Sequence, residues 1–86
     1  MRAQKKPVVI DFLPFYNNIL EVQNWVETFN EDFSTHFEVE GNTLKVKTFE
    51  GISYNVKTSD VIIRGVRGEY YPCKKNIFEE TYETIE

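Results

Sequence analysis

The stretch VIIRGVRGEYYPCKK, residues 61–75, decides the fold. Val61 to Val66 is β-branched and apolar, Arg67-Gly68 is a turn signal, and Glu69 to Lys74 is rich in tyrosine. This pattern predicts a β-hairpin with a two-residue loop, in which Gly68 supplies a positive φ. Pairing Val66 with Glu69 sets Gly65 against Tyr70, Arg64 against Tyr71 and Ile62 against Cys73. A tyrosine ring then covers the bare backbone of Gly65, and Arg64 lies over the ring of Tyr71. One face holds Ile62, Arg64, Val66, Glu69, Tyr71 and Cys73. The other holds Val61, Ile63, Gly65, Tyr70, Pro72 and Lys74. Neither face is plainly polar, so a second layer covers one of them, or another molecule does.

Working back from the hairpin, period 2 continues upstream. Phe37 and Val39 alternate with His36, Glu38 and Glu40; Leu44 and Val46 with Lys45 and Lys47; Ile52, Tyr54 and Val56 with Ser53, Asn55 and Lys57. Turns fall at Gly41-Asn42, Glu50-Gly51 and Thr58-Ser59-Asp60. The pattern predicts an antiparallel meander with one buried and one wet face. Lys45, Lys47 and Lys57 share the wet face, where lysine also discourages edge-to-edge aggregation.

Between residues 15 and 33 the period lengthens. Phe15, Ile19, Val22, Val26, Phe29 and Phe33 make one apolar stripe, which predicts a helix opened by Asn17 with Glu21 in its first turn. Residues 7–13, PVVIDFL, read as a strand that Pro14 ends. At the other end, KKNIFEETYETIE at 74–86 predicts a short helix capped by Asn76, with Glu79 in capping-box position and Phe78, Tyr82 and Ile85 on one face. The expectation is a single α+β domain over residues 1–86. It has an antiparallel sheet of about five to six strands, one amphipathic helix packed on it, and a short C-terminal helix.

Composition bounds the function. The chain has 86 residues, is 41% hydrophobic and 15% aromatic, and carries a net charge of −4. A domain of this size holds one modest core and little room for a deep cleft. The charge is patterned: residues 41–75 carry 7 basic and 3 acidic groups, while residues 1–40 carry 3 basic and 7 acidic ones. Either the acidic flanks fold over a complementary middle, or the middle presents a basic face to a nucleotide or an acidic partner. Lys45, Lys47, Lys57, Arg64, Arg67, Lys74 and Lys75, interleaved with Tyr54, Tyr70 and Tyr71, form a conceivable basic aromatic platform. The acidic flanks disfavour a long polyanion. No apolar run approaches the length of a membrane span, and Asp11 interrupts the only segment resembling a signal peptide. A single cysteine points to a reducing, cytosolic setting.

The residues for bond-making chemistry are sparse. The chain has one histidine, His36, and one cysteine, Cys73. They lie far apart in sequence without a third orienting group, and they are too few for zinc. Cys73 is expected to pack beside the sheet and His36 to sit at an exposed strand start. Glu31-Asp32 and Glu79-Glu80 read as solvated or capping pairs, and no spaced acidic loop suits calcium. Gly65 and Gly68 share only part of a phosphate-loop spacing, without a helix start. No catalytic residue, metal ligand or cofactor site is expected.

KKPVVID at 5–11 and TSDVIIRGVRGEYYPCKKNIFEETYE at 58–83 carry a resemblance. They resemble the PGDYG-type family of small proteins encoded by bacteriophages and prophages. Its members begin with a KKPVVIEA-like strand and end with GDYIIRGVKGEYYPCKPDIFEKTYE-like sequence. The namesake turn stands here as Ser59-Asp60-Val61, and the family's Lys-Pro-Asp has lost its proline at Lys75-Asn76. The resemblance implies a phage origin and the fold, and brings no established activity with it. It raises the expectation of an accessory protein that acts in the host cytoplasm, inhibiting a host or host-defence protein by direct contact. Arg64, Arg67, Glu69, Tyr70 and Tyr71 are the expected contact residues. The alternatives are a sponge for a small anionic nucleotide and a minor virion component; association between copies stays open.

Overall fold

The hairpin forms, but in a different register. In the computed structural model, which describes residues 1–4 and 6–85, Arg64 pairs with Tyr70, Ile63 with Tyr71, Ile62 with Pro72 and Val61 with Cys73. The loop is three residues, Val66-Arg67-Gly68. Gly68 N–H donates to the Gly65 carbonyl at 3.0 Å, and Gly65 N–H donates to that of Glu69 at 2.7 Å. A two-residue primed turn ending in Arg-Gly would force Arg67 to positive φ. The three-residue loop asks this only of Gly68, at φ +79°. The one-residue slip exchanges faces. Tyr70 now shares a face with Ile62 and Arg64, and Tyr71 and Cys73 join Val61 and Ile63 on the other. Gly65 is covered by the Glu69 carboxylate instead of a tyrosine ring.

Gly68→Ala is expected to cost about 1 kcal/mol through its backbone conformation alone, because the added Cβ would meet Arg64 Nη2 only at an ordinary 3.5 Å. Gly65→Ala is expected to cost less, since φ there is not positive and the Glu69 side chain can swing away. Urea midpoints of the two variants check the order.

The chain runs β1 (Asp11–Pro14), α1 (Ile19–Glu27), α2 (Phe33–His36), β2 (Phe37–Glu40), β3 (Thr43–Lys47), β4 (Ser53–Val56), β5 (Val61–Arg64), β6 (Tyr70–Cys73) and α3 (Lys75–Thr81). The architecture is α+β. The six strands divide into two antiparallel three-stranded sheets, ordered β1-β5-β6 and β2-β3-β4, in place of one continuous sheet. β1 starts later than the predicted strand at 7–13, and Pro14 is its last paired residue, opposite Val61.

The predicted long helix is two. Asn18, not Asn17, caps α1: its Oδ1 accepts from Glu21 N–H at 3.1 Å, while Asn17 takes φ +66°. The helix stops because Asn30 adopts the left-handed conformation at φ +59° and Asp32 then caps α2, accepting from Ser34 N–H. At the C-terminus Lys74 occupies the cap position of α3 without a side-chain bond. Only Lys74 separates β6 from the helix, so Asn76 already lies in the first turn.

The apolar stripe does face the core. Phe15, Val22 and Val26 are buried with Phe37, Leu44, Val46, Val56, Ile62 and Tyr70 between the two sheets, and Ile19, Trp25 and Phe33 pack against them. A smaller cluster of Val61, Ile63 and Phe78 lies on the other face of β1-β5-β6, with Phe12, Tyr71, Cys73 and Tyr82 around it. Both hairpin faces therefore have internal partners: the first core on one side and α3 on the other. Val39, Ile52 and Tyr54, expected inside, remain exposed near the sheet edges. The expected C-terminal helix stops at Thr81, so Ile85 lies beyond it and is exposed, and Glu86 lies outside the described residues.

Candidate functional site

The turn at Asn30 aims Glu31 inward, where sequence reading had it solvated. Its Oε1 accepts from Arg64 Nε–H at 2.8 Å and from the Tyr70 hydroxyl at 2.9 Å. Its Oε2 lies 3.2 Å from His36 Nε2. Arg64 does not lie over Tyr71. Its guanidinium sits over the Phe29 ring, 4.4 Å from the centroid. His36 closes α2 half-buried against Tyr70, ring centroids 4.8 Å apart, instead of starting an exposed strand.

Electrostatics follow from these contacts. Burial alone would raise the Glu31 pKa, but hydrogen bonds from Arg64 and Tyr70 and the charges of Arg64 and His36 outweigh it. The net shift is downward. The hydrogen bond to Glu31 raises the Arg64 pKa. Burial, then the bond to Glu31, pushes Tyr70 up to about 12. The four side chains satisfy one another and hold β6 against α2.

Beside this cluster a groove of about 450 Å³ opens between the β3–β4 loop and β6. Arg67, Glu69, Tyr70 and Tyr71 line it, so four of the five expected contact residues meet at one place. Their roles differ. Arg67 is exposed, and its backbone N–H donates to Glu69 Oε1 at 3.0 Å. Tyr70, at 1% exposure, belongs to the core and offers the groove almost no surface. Tyr71 packs with the second cluster; burial, then hydrogen bonding with Tyr82, raises its pKa. Arg64 lies outside the groove lining and is committed to Glu31. Phe49, 65% exposed, and Tyr54, 43% exposed, complete the wall with Pro72. Sequence reading passed over Phe49. Its one signal was an aromatic in the turn before Glu50-Gly51, with no strand face to serve.

A second groove, about 480 Å³, follows β4 and the end of β6 and is lined by Ser53, Asn55, Lys57, Asp60, Cys73 and Lys74 among others. Burial, then the Asp60 charge, raises the Cys73 thiol pKa. Cys73 and His36 belong to opposite faces of β1-β5-β6, so they do not form a nucleophile–base pair. Among the described residues no three His, Cys, Asp or Glu side chains are grouped to hold a metal ion, and no helix is long and apolar enough to cross a membrane. No protein-family model, curated protein or solved structure matches the chain.

Proposed function

We propose that this chain is a phage-encoded accessory protein that works by contact, without catalysis, occluding a host or host-defence protein in the host cytoplasm. One observation carries the reading: exposed Phe49, Tyr54 and Arg67 converge on a groove backed by a hydrogen-bonded polar cluster. Aromatic and arginine side chains at a fixed concave surface are the usual anchors of protein interfaces. The groups with reactive potential support the same view, because Glu31, Tyr70 and Cys73 are engaged in holding the fold. The phage setting rests on the resemblance of residues 5–11 and 58–83.

The test compares the wild type with a Tyr54→Ala/Arg67→Glu double variant as immobilised bait in host lysate. The expected result is one host protein retained by the wild type and lost by the variant. Equal retention on both would move the contact elsewhere. A thermal shift of several degrees with a cyclic or linear nucleotide, without any retained protein, would replace this reading with ligand sequestration.

A further inference from the structure

The β4 edge is open, and its backbone is set for a partner strand. Thr48 N–H donates to the Ile52 carbonyl at 3.0 Å, which fixes the phase of the β3–β4 ladder. Val46/Tyr54 and Leu44/Val56 are then the bonded pairs, while Lys47/Ser53 and Lys45/Asn55 are not. The N–H and C=O groups of Ser53 and Asn55 therefore point away from β3. Among the described residues no strand is hydrogen-bonded to β4 on that side, and the 480 Å³ groove, whose other wall is the end of β6, runs along it.

We infer that β4 binds an extended, alternately acidic and apolar segment of the partner protein by strand addition, through the free backbone groups of Ser53 and Asn55. This rests on the contact reading above and names the form of its partner. Backbone groups spaced along a strand edge are matched by extended chain. Side chains of the added strand alternate between two environments. One row falls beside Tyr54 and the apolar wall of the neighbouring groove. The other falls beside Ser53, Asn55 and Lys57, with Lys74 across the groove. Among the described residues Asp60 is the one acidic residue lining that groove, and its Oδ2 already accepts from Lys57 N–H at 2.9 Å. The same lysines repel the β4 edge of a second copy.

The probe is a short synthetic peptide alternating glutamate and valine, titrated into isotope-labelled protein while backbone amide resonances are followed. The largest shifts are expected at the Ser53 and Asn55 amides. Lys57→Glu should weaken binding about two- to five-fold, and a lysine–valine peptide should leave the resonances unmoved. Asn55→Pro removes one outward N–H without touching the β3 ladder and should weaken binding by about five- to ten-fold. Absent shifts, or shifts confined to another surface, would overturn strand addition. So would a host protein that Asn55→Pro retains and Tyr54→Ala/Arg67→Glu loses, although that result would leave the contact reading standing.

Discussion

Tyr70→Ala is expected to destabilise the protein by about 3–5 kcal/mol, the range for removing a buried aromatic ring. Tyr70 is 1% exposed, and its ring touches three others: Trp25 at 5.8 Å, Phe37 at 5.3 Å and His36 at 4.8 Å between centroids. These neighbours come from α1, β2 and α2, so they cannot all collapse into the space the ring leaves. A small domain is stable by roughly 5–15 kcal/mol, so this single change removes a large share. Thermal unfolding by circular dichroism should show a midpoint lower by tens of degrees, or a chain already unfolded at room temperature. Tyr70→Phe keeps the ring and loses only the bond to Glu31, and about 1 kcal/mol is expected. If the alanine and phenylalanine variants were equally stable, Tyr70 would not be the centre of the core.

Glu31→Ala is expected to cost about 2 kcal/mol, because it leaves the half-buried Arg64 guanidinium and the hydroxyl of buried Tyr70 without their shared acceptor. The estimate stays low because the Glu31 side chain is 22% exposed and water replaces part of what is lost. Acid supplies an independent check. The folded state holds the Glu31 pKa below its ordinary 4.5. The ionised form therefore stabilises the fold, fully above the unfolded pKa, and this contribution fades as pH falls through the folded value. The stability gap between wild type and Glu31→Gln should close as pH falls below the usual carboxylate range. Urea midpoints across a pH series would measure it. A gap unchanged down to strong acid would mean that Glu31 ionisation contributes nothing to the fold.

The turn residues of the hairpin are legible in the sequence, but the two-residue loop they suggest is one residue out of register with the fold. Gly68 requires positive φ in either loop length, and it alone does not select between them. The demand on Arg67 does, since a two-residue loop would place a bulky side chain in the left-handed region. Shifting by one residue reversed the roles of the adjacent tyrosines, sending Tyr70 to the first core and Tyr71 to the second. Asn30-Glu31-Asp32 likewise contained a helix stop and a new cap. The apolar stripe on either side ran through it in phase and hid the break. Arg67 and Glu69 line the groove from one hairpin, whereas Phe49 and Tyr54 reach it from another.

The sequence by itself determined the α+β class, the order of the strands, and the alternation that buries Phe37, Leu44, Val46 and Val56. Periodicity and turn residues act over a few positions, so a linear reading captures them. Only the tertiary structure decided that six strands split into two sheets, that Glu31 turns inward, and that the β4 edge stays open. Glu31 meets Arg64 and Tyr70 across 33 and 39 residues of chain. Nothing local distinguishes such a carboxylate from a solvated one, because its environment is set by groups that only folding brings near.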